Sequence, residues 1–139
     1  MDKTIFCTSA TNLEAFLGDY PNERSHMGAD IPVFVYRLFQ YSLKEELISR
    51  YGKETAIDLF RAGGRTAGVY FARHHLDLAL PLGQFTAMLQ QKLEEFKIGI
   101  LRIETFDENT GQIILTVSED ADCSGLPIMG EAVCNFDEG

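Results

Sequence analysis

Leu101-Arg-Ile-Glu-Thr-Phe-Asp-Glu-Asn-Thr-Gly-Gln-Ile-Ile-Leu-Thr-Val-Ser-Glu119 is the stretch in which the periodicity of the chain changes. Leu101, Ile103 and Thr105 alternate with Arg102 and Glu104, a period of 2 that predicts a strand. Asp107 to Gly111 is rich in turn formers. Beyond it Ile113, Leu115 and Val117 alternate with Ile114 and Thr116 as far as Glu119. The reading is an antiparallel hairpin with one face turned to the rest of the protein.

Everything upstream follows helical spacing instead. Asp30 is placed to cap a helix with Pro32 in its first turn, where a missing N–H costs nothing. Tyr36, Phe39, Leu43 and Leu47 form its stripe, and Phe34, Val35 and Leu38 widen it, which predicts a first half buried nearly all round. Gly52 ends it. A second helix is predicted from Lys53 to the Arg73-His74-His75 region, with Ile57, Phe60, Gly64, Ala67 and Phe71 along one face. Gly63, Gly64 and Gly68 each cost a helix roughly 1 kcal/mol relative to alanine. Such a cost points to close approach of another backbone or of a ligand. A third helix runs from near Pro81 to about Lys97 with Phe85, Leu89, Leu93 and Phe96 on one side. Before Asp30 the signals are weaker: a capping box at Thr11-Asn-Leu-Glu14 opens a short turn through Leu17 to Gly18, and a loop follows from Tyr20 to Gly28. Helices first and a small sheet after define an α+β protein, with residues 1–30 as an extension and 31–139 as the folded domain.

Composition narrows the function. The 139 residues fit one core-forming domain, and 45% apolar content is that of a globular protein. A net charge of −9 without any basic run argues against nucleic acid and anionic membrane as partners. Neither a secretory signal pattern nor a run of about 18 apolar residues is visible, and three scattered cysteines do not describe a disulfide framework. The expectation is a cytoplasmic protein in a reducing compartment.

The loop Cys123-Ser-Gly-Leu-Pro-Ile-Met-Gly-Glu-Ala-Val-Cys134-Asn-Phe is the most chemically specific segment. Glu119, Asp120 and Asp122 precede it. Cys123 and Cys134, with Glu119 or Asp122 as a third donor, could ligate zinc, which wants four donors in a closed site. The ten residues between the thiols exceed zinc-knuckle spacing, and two small buried thiols packing a structural loop explain the pattern better than zinc does. A disulfide is disfavoured in a reducing compartment.

This loop, together with Arg24, Gly28, Ile31-Pro-Val-Phe-Val-Tyr-Arg-Leu38 and Arg61-Ala-Gly63, resembles the 4-vinyl-reductase domain family over roughly Arg24 to Gly139. The resemblance implies a fold shared with TRAPP tethering subunits and haem–nitric-oxide-binding domains, and a homodimer. It also implies an internal apolar pocket for a small hydrophobic ligand, often in a sensing role. The alternative it implies is an enzyme or accessory protein of tetrapyrrole (bacteriochlorophyll-type) metabolism. Two departures stand out. The family's closing C-terminal helix has no counterpart before Gly139, and residues 97–100 lack the further cysteine of zinc-binding relatives. On this reading Tyr36, Phe39, Tyr41, Phe60, Tyr70, Phe71, Phe85 and Phe96 could line the pocket, with Gly64 and Gly68 making room, and Tyr36, Phe39, Tyr70, Phe71 and Phe85 are the chosen lining. Each of these is, taken singly, an ordinary core residue.

Other candidates carry less. His74 and His75 point about 100° apart on a helix and cannot easily share a metal; their position near a helix C-terminus is explained by its dipole. His26 lies in a loop. The Tyr-x-Ser-x-Arg motif of haem relatives is missing. Gly63-Gly-Arg-Thr-Ala-Gly68 is not a dinucleotide fingerprint, no hydrolase or phosphate-loop motif occurs, and Cys7 has no evident activating partner.

Overall fold

A computed structural model describes residues 13–139, which fall into two compact units divided between Pro32 and Val33. In the first, residues 13–17 are helical and stop at Gly18, while the expected cap at Thr11 and the thiol of Cys7 lie outside the described residues. The segment read as a loop from Tyr20 opens with one helical turn, α1 (Tyr20–Glu23), started by Pro21.

The second unit is α+β. Helices α2 (Val33–Tyr51), α3 (Lys53–His75) and α4 (Leu82–Glu95) precede the antiparallel pair β1 (Ile100–Asp107) and β2 (Gln112–Ser118), and a final turn α5 (Asn135–Glu138) follows. Helix α2 begins at Val33 rather than at Asp30, because a residue before proline is pushed toward extended backbone and Ile31 precedes Pro32. Gly52 alone joins α2 to α3. Its φ of +85° is a conformation side chains resist, and it lets two helices meet in a one-residue corner. Helices α2 and α3 pack together, α5 packs on α3, and α4 packs on β1.

The hairpin shows how a pattern that is not strictly alternating still gives one apolar face. Ile103 pairs with Leu115, but the next pair is Thr105 with Ile114, so Glu104 is an extra residue in β1. That bulge puts Phe106 opposite Ile113, on the same face as Leu101 and Ile103. Asp107 organises the turn: its backbone carbonyl accepts from Gly111 N–H (2.8 Å) and its carboxylate from Asn109 N–H (2.9 Å).

The core is small. Ala56, Phe60 and Leu101 are its buried apolar residues among those described. Leu101 lies where α4 meets β1, and Gln90 Nε2 donates to its carbonyl (3.0 Å). The remaining apolar residues of the hairpin face are exposed, since α4 is the main helix lying on it. The first half of α2, expected to be buried all round, is not: Phe34 is 69% and Leu38 58% exposed. A helix apolar on every side needs a neighbour on every side, and α2 has α3 on one flank and residues 120–135 on another.

Candidate functional site

Between α2, α3 and α5 lies a pocket of about 220 Å³. Its walls come from Tyr36, Gln40, Leu43 and Leu47 on α2, from Leu59, Phe60 and Gly63 on α3, and from Phe136. Phe39, 68% exposed, borders its mouth. The α2 residues sit at i, i+4, i+7 and i+11, one continuous helical face. The α3 residues cluster within a turn. Phe136 arrives from α5 because Gly64 leaves room. A Cβ on Gly64 would strike the Phe136 carbonyl oxygen and stand 2.8 Å from its carbon. The backbone approach expected of this glycine is therefore that of α5. At Gly68 an added Cβ would touch nothing within 4 Å.

Of the five aromatic residues expected to line a cavity, Tyr36 and Phe39 border this pocket; Tyr70, Phe71 and Phe85 do not. The reason is reach along the helix: ten residues separate Phe60 from Tyr70, about 15 Å at 1.5 Å per residue. Tyr70 instead stacks on His74 (centroids 3.9 Å apart), and Phe71 joins an edge-to-face cluster with His75 and Phe96. The two histidines diverge, as adjacent helical residues must. Phe60, a possible lining residue outside the chosen five, is one of the best buried residues of the pocket wall. Gln40 and Phe136 were not expected. Gln40 is a polar residue inside the apolar stripe from Tyr36 to Leu47, which is the signal that would have found it.

Behind the α2 wall lies a polar layer. Asp122 is 1% exposed; its Oδ1 accepts from Tyr36 Oη (3.3 Å) and its backbone carbonyl from Tyr41 Oη (2.8 Å). Among the described residues its Oδ2 has no hydrogen-bond partner, nor has Oε1 of Gln40, a side chain only 5% exposed. Burial raises the Asp122 pKa, while hydrogen bonding from Gln40 pulls the other way. The Tyr36 phenol is pushed well above its ordinary value by burial and by the negative charge of Asp122. Asp137 is pushed up to about 7, first by burial and then by the charges of Asp122 and Asp120. Arg37 fastens this layer to α2, donating to the carbonyls of Ala121 (2.8 Å), Asp120 (3.2 Å) and Ser124 (2.7 Å). Lys44 does the same for the last turn through Val133 O (3.2 Å) and Asn135 Oδ1 (2.7 Å).

Cys123 and Cys134 come together as a disulfide, with Cα atoms 6.1 Å apart, inside the usual disulfide range. The sequence reading disfavoured this pairing on grounds of compartment. The third donor also differs from expectation: the carboxylate within 4.8 Å of both sulfurs is that of Asp120, and Glu119 is outside the group. Thiolate, not disulfide, ligates zinc, so a zinc site exists here only in the dithiol form. Asp120, Cys123 and Cys134 then offer ligand types that suit zinc but one donor fewer than a closed site requires.

Compared with known proteins, the chain matches no family model, no curated protein and no solved structure. Among the described residues no helix is long and apolar enough to cross a membrane.

Proposed function

We propose that the unit Val33–Gly139 binds a small apolar molecule in the pocket between α2, α3 and Phe136. The observation that carries this reading is a pocket whose exposed lining is almost wholly apolar, walled chiefly by leucine and phenylalanine side chains, with Phe136 contributed by the turn that packs against Gly64. Leaving such a wall to water is unfavourable by roughly 25 cal/mol per Å², so an apolar guest of the right size is favoured over solvent. Size selects among candidates. An engineered apolar cavity of about 150 Å³ takes one benzene, so about 220 Å³ suits a substituted single ring or a short branched chain. Drug-sized ligands need roughly 300–1,000 Å³, which weighs against a tetrapyrrole. With the likeness to 4-vinyl-reductase domains goes the further proposal of a TRAPP-like arrangement, a homodimer and a cytoplasmic sensing role.

The test is a thermal-shift screen with small aromatic and aliphatic compounds, followed by titration of ¹³C-labelled phenylalanine resonances. A guest should raise the melting temperature and move the Phe60 and Phe136 signals; at a hundredfold excess over Kd the stabilisation is about 2.7 kcal/mol. Unmoved Phe60 and Phe136 signals across the panel would refute the proposal.

A further inference from the structure

Of the two strand edges that the hairpin leaves open, one is guarded and the other is not. A free edge presents a row of N–H and C=O groups to any other strand, and charges or a bulge are the usual protection. β1 carries Arg102, Glu104 and Asp107, and Glu104 is also its bulge. β2, Gln112-Ile-Ile-Leu-Thr-Val-Ser118, has no charge, no proline and no bulge, and all seven of its residues are exposed. Among the described residues, no backbone group of residues 113–118 is bonded outside the ladder with β1. Helix α4 packs on β1, whereas β2 packs chiefly on β1. A two-stranded ribbon is marginal by itself and gains from further strands.

We propose that the free edge of β2 pairs antiparallel with β2 of a second copy of this chain, joining two hairpins into a four-stranded sheet in the order β1-β2-β2-β1. The strand is complementary to itself. With a twofold axis through Leu115, that leucine meets its own counterpart, Ile113 meets Val117, Ile114 meets Thr116 and Gln112 meets Ser118. Ile113, Leu115 and Val117 stand opposite Phe106, Ile103 and Leu101 on the apolar face of the hairpin, so that face runs unbroken across both copies. Aliphatic pairs across strands stabilise a sheet and like charges directly opposite destabilise it. None meet in this ladder, and Glu119, just past its end, falls opposite Gly111 of the second copy. Charge favours a second copy over a different protein. A chain of net charge −9 draws basic partners through its acids, and β2 has none to offer; an uncharged edge is where two such chains repel each other least. The inference gives a place to the homodimer proposed above and rests on that part of the reading, not on the pocket.

Sedimentation equilibrium of the unaltered chain should show a mass that rises toward twice 15.6 kDa with concentration. Amide exchange over the same range should slow in residues 112–118 and stay unchanged along the outer edge of β1. Cysteine variants, each with Cys7→Ser as background, fix the geometry. Leu115→Cys sets two thiols on the axis, where opposed Cα atoms lie about 4.5–5.5 Å apart, and mild oxidation should link most of the dimer. Ile103→Cys lies on the same face but three strand spacings from its counterpart, about 14 Å. A disulfide spans at most about 7 Å, so this variant should stay unlinked. A chain that keeps the mass of one copy at millimolar concentration overturns the proposal and the homodimer with it, and leaves the edge to a strand of another protein. A dimer in which Ile103→Cys links as readily as Leu115→Cys, as face-to-face packing would allow, overturns the edge pairing alone. So does exchange in residues 112–118 that is indifferent to concentration, and that measurement decides if Leu115→Cys does not fold.

Discussion

Replacing Gly64 by alanine should loosen the last turn of the chain, and the expected size can be worked from two opposing effects. In an exposed helix interior alanine is favoured over glycine by about 1 kcal/mol. At Gly64 the new methyl would strike the carbonyl oxygen of Phe136 and lie 2.8 Å from its carbon and 3.3 Å from Gly139 Cα. These are backbone atoms, which cannot turn aside as a side chain can. Overpacking of this kind costs typically 1–3 kcal/mol, and two main-chain collisions belong at the upper end. The net expectation for Gly64→Ala is therefore a loss of about 2 kcal/mol. Gly68, one turn further along α3, supplies the control. No atom lies within 4 Å of its would-be Cβ, so Gly68→Ala should gain up to about 1 kcal/mol.

The two alanine variants should thus differ by about 3 kcal/mol in urea unfolding, with slopes that stay alike. Phe136 gives a second readout, because displacing α5 pulls that ring out of the pocket wall; Gly64→Ala should weaken ligand binding and Gly68→Ala should not. Equal stability of the two variants would refute the argument, for it would mean that α5 does not press on α3.

Other expectations follow from the layer behind the pocket. Under non-reducing denaturing conditions, thiol titration should find one free cysteine per chain, Cys7, and three after reduction, because Cys123 and Cys134 are paired; three without reductant would deny the pairing. Chain entropy for a separation of 11 residues puts the bond's stabilisation at about 2.8 kcal/mol, to be read as the urea-midpoint shift on reduction. Arg37→Met removes the donors to three backbone carbonyls and should cost about 2–3 kcal/mol, whereas Arg50→Met, which breaks an exposed i,i+4 pair with Glu46, should stay within about 0.5 kcal/mol. An Arg37→Met protein as stable as Arg50→Met would mean the loop does not depend on that anchor. For pH, Asp137 in the folded chain titrates at about 7 against an ordinary 3.8, so between those values the folded state holds a proton the unfolded state has released. Stability must then fall as pH rises from about 4 through about 7 and level off above, by less than the full shift would give because Asp137 keeps an exposed side. Melting temperatures that hold or climb from about pH 5 to about pH 7.5 would contradict this assignment, and Asp137→Asn should flatten the fall.

What the sequence made legible were the features governed by neighbours along the chain. Gly52 and the spacing from Ile57 to Phe71 marked both ends of α3, observed as Lys53–His75, because helix termination and helical period are local properties. The turn from Asp107 to Gly111 and the strands around it were equally plain. Even the close approach at Gly64 could be foreseen, since a glycine inside a helix carries a cost that some neighbour must offset. The partner of that approach could not be named: Phe136 lies 72 residues further on, and nothing local ties it to α3. The same distance hid the candidate site. Tyr70 and Phe71 share α3 with Phe60 and looked like companions, but a helix is a rigid rod and carries them about 15 Å away. Gln40 failed for a different reason. Read by period alone, a glutamine inside an apolar stripe is a small irregularity; that it ends up buried in the pocket wall depends on α3 and the last turn of the chain closing over that face of α2.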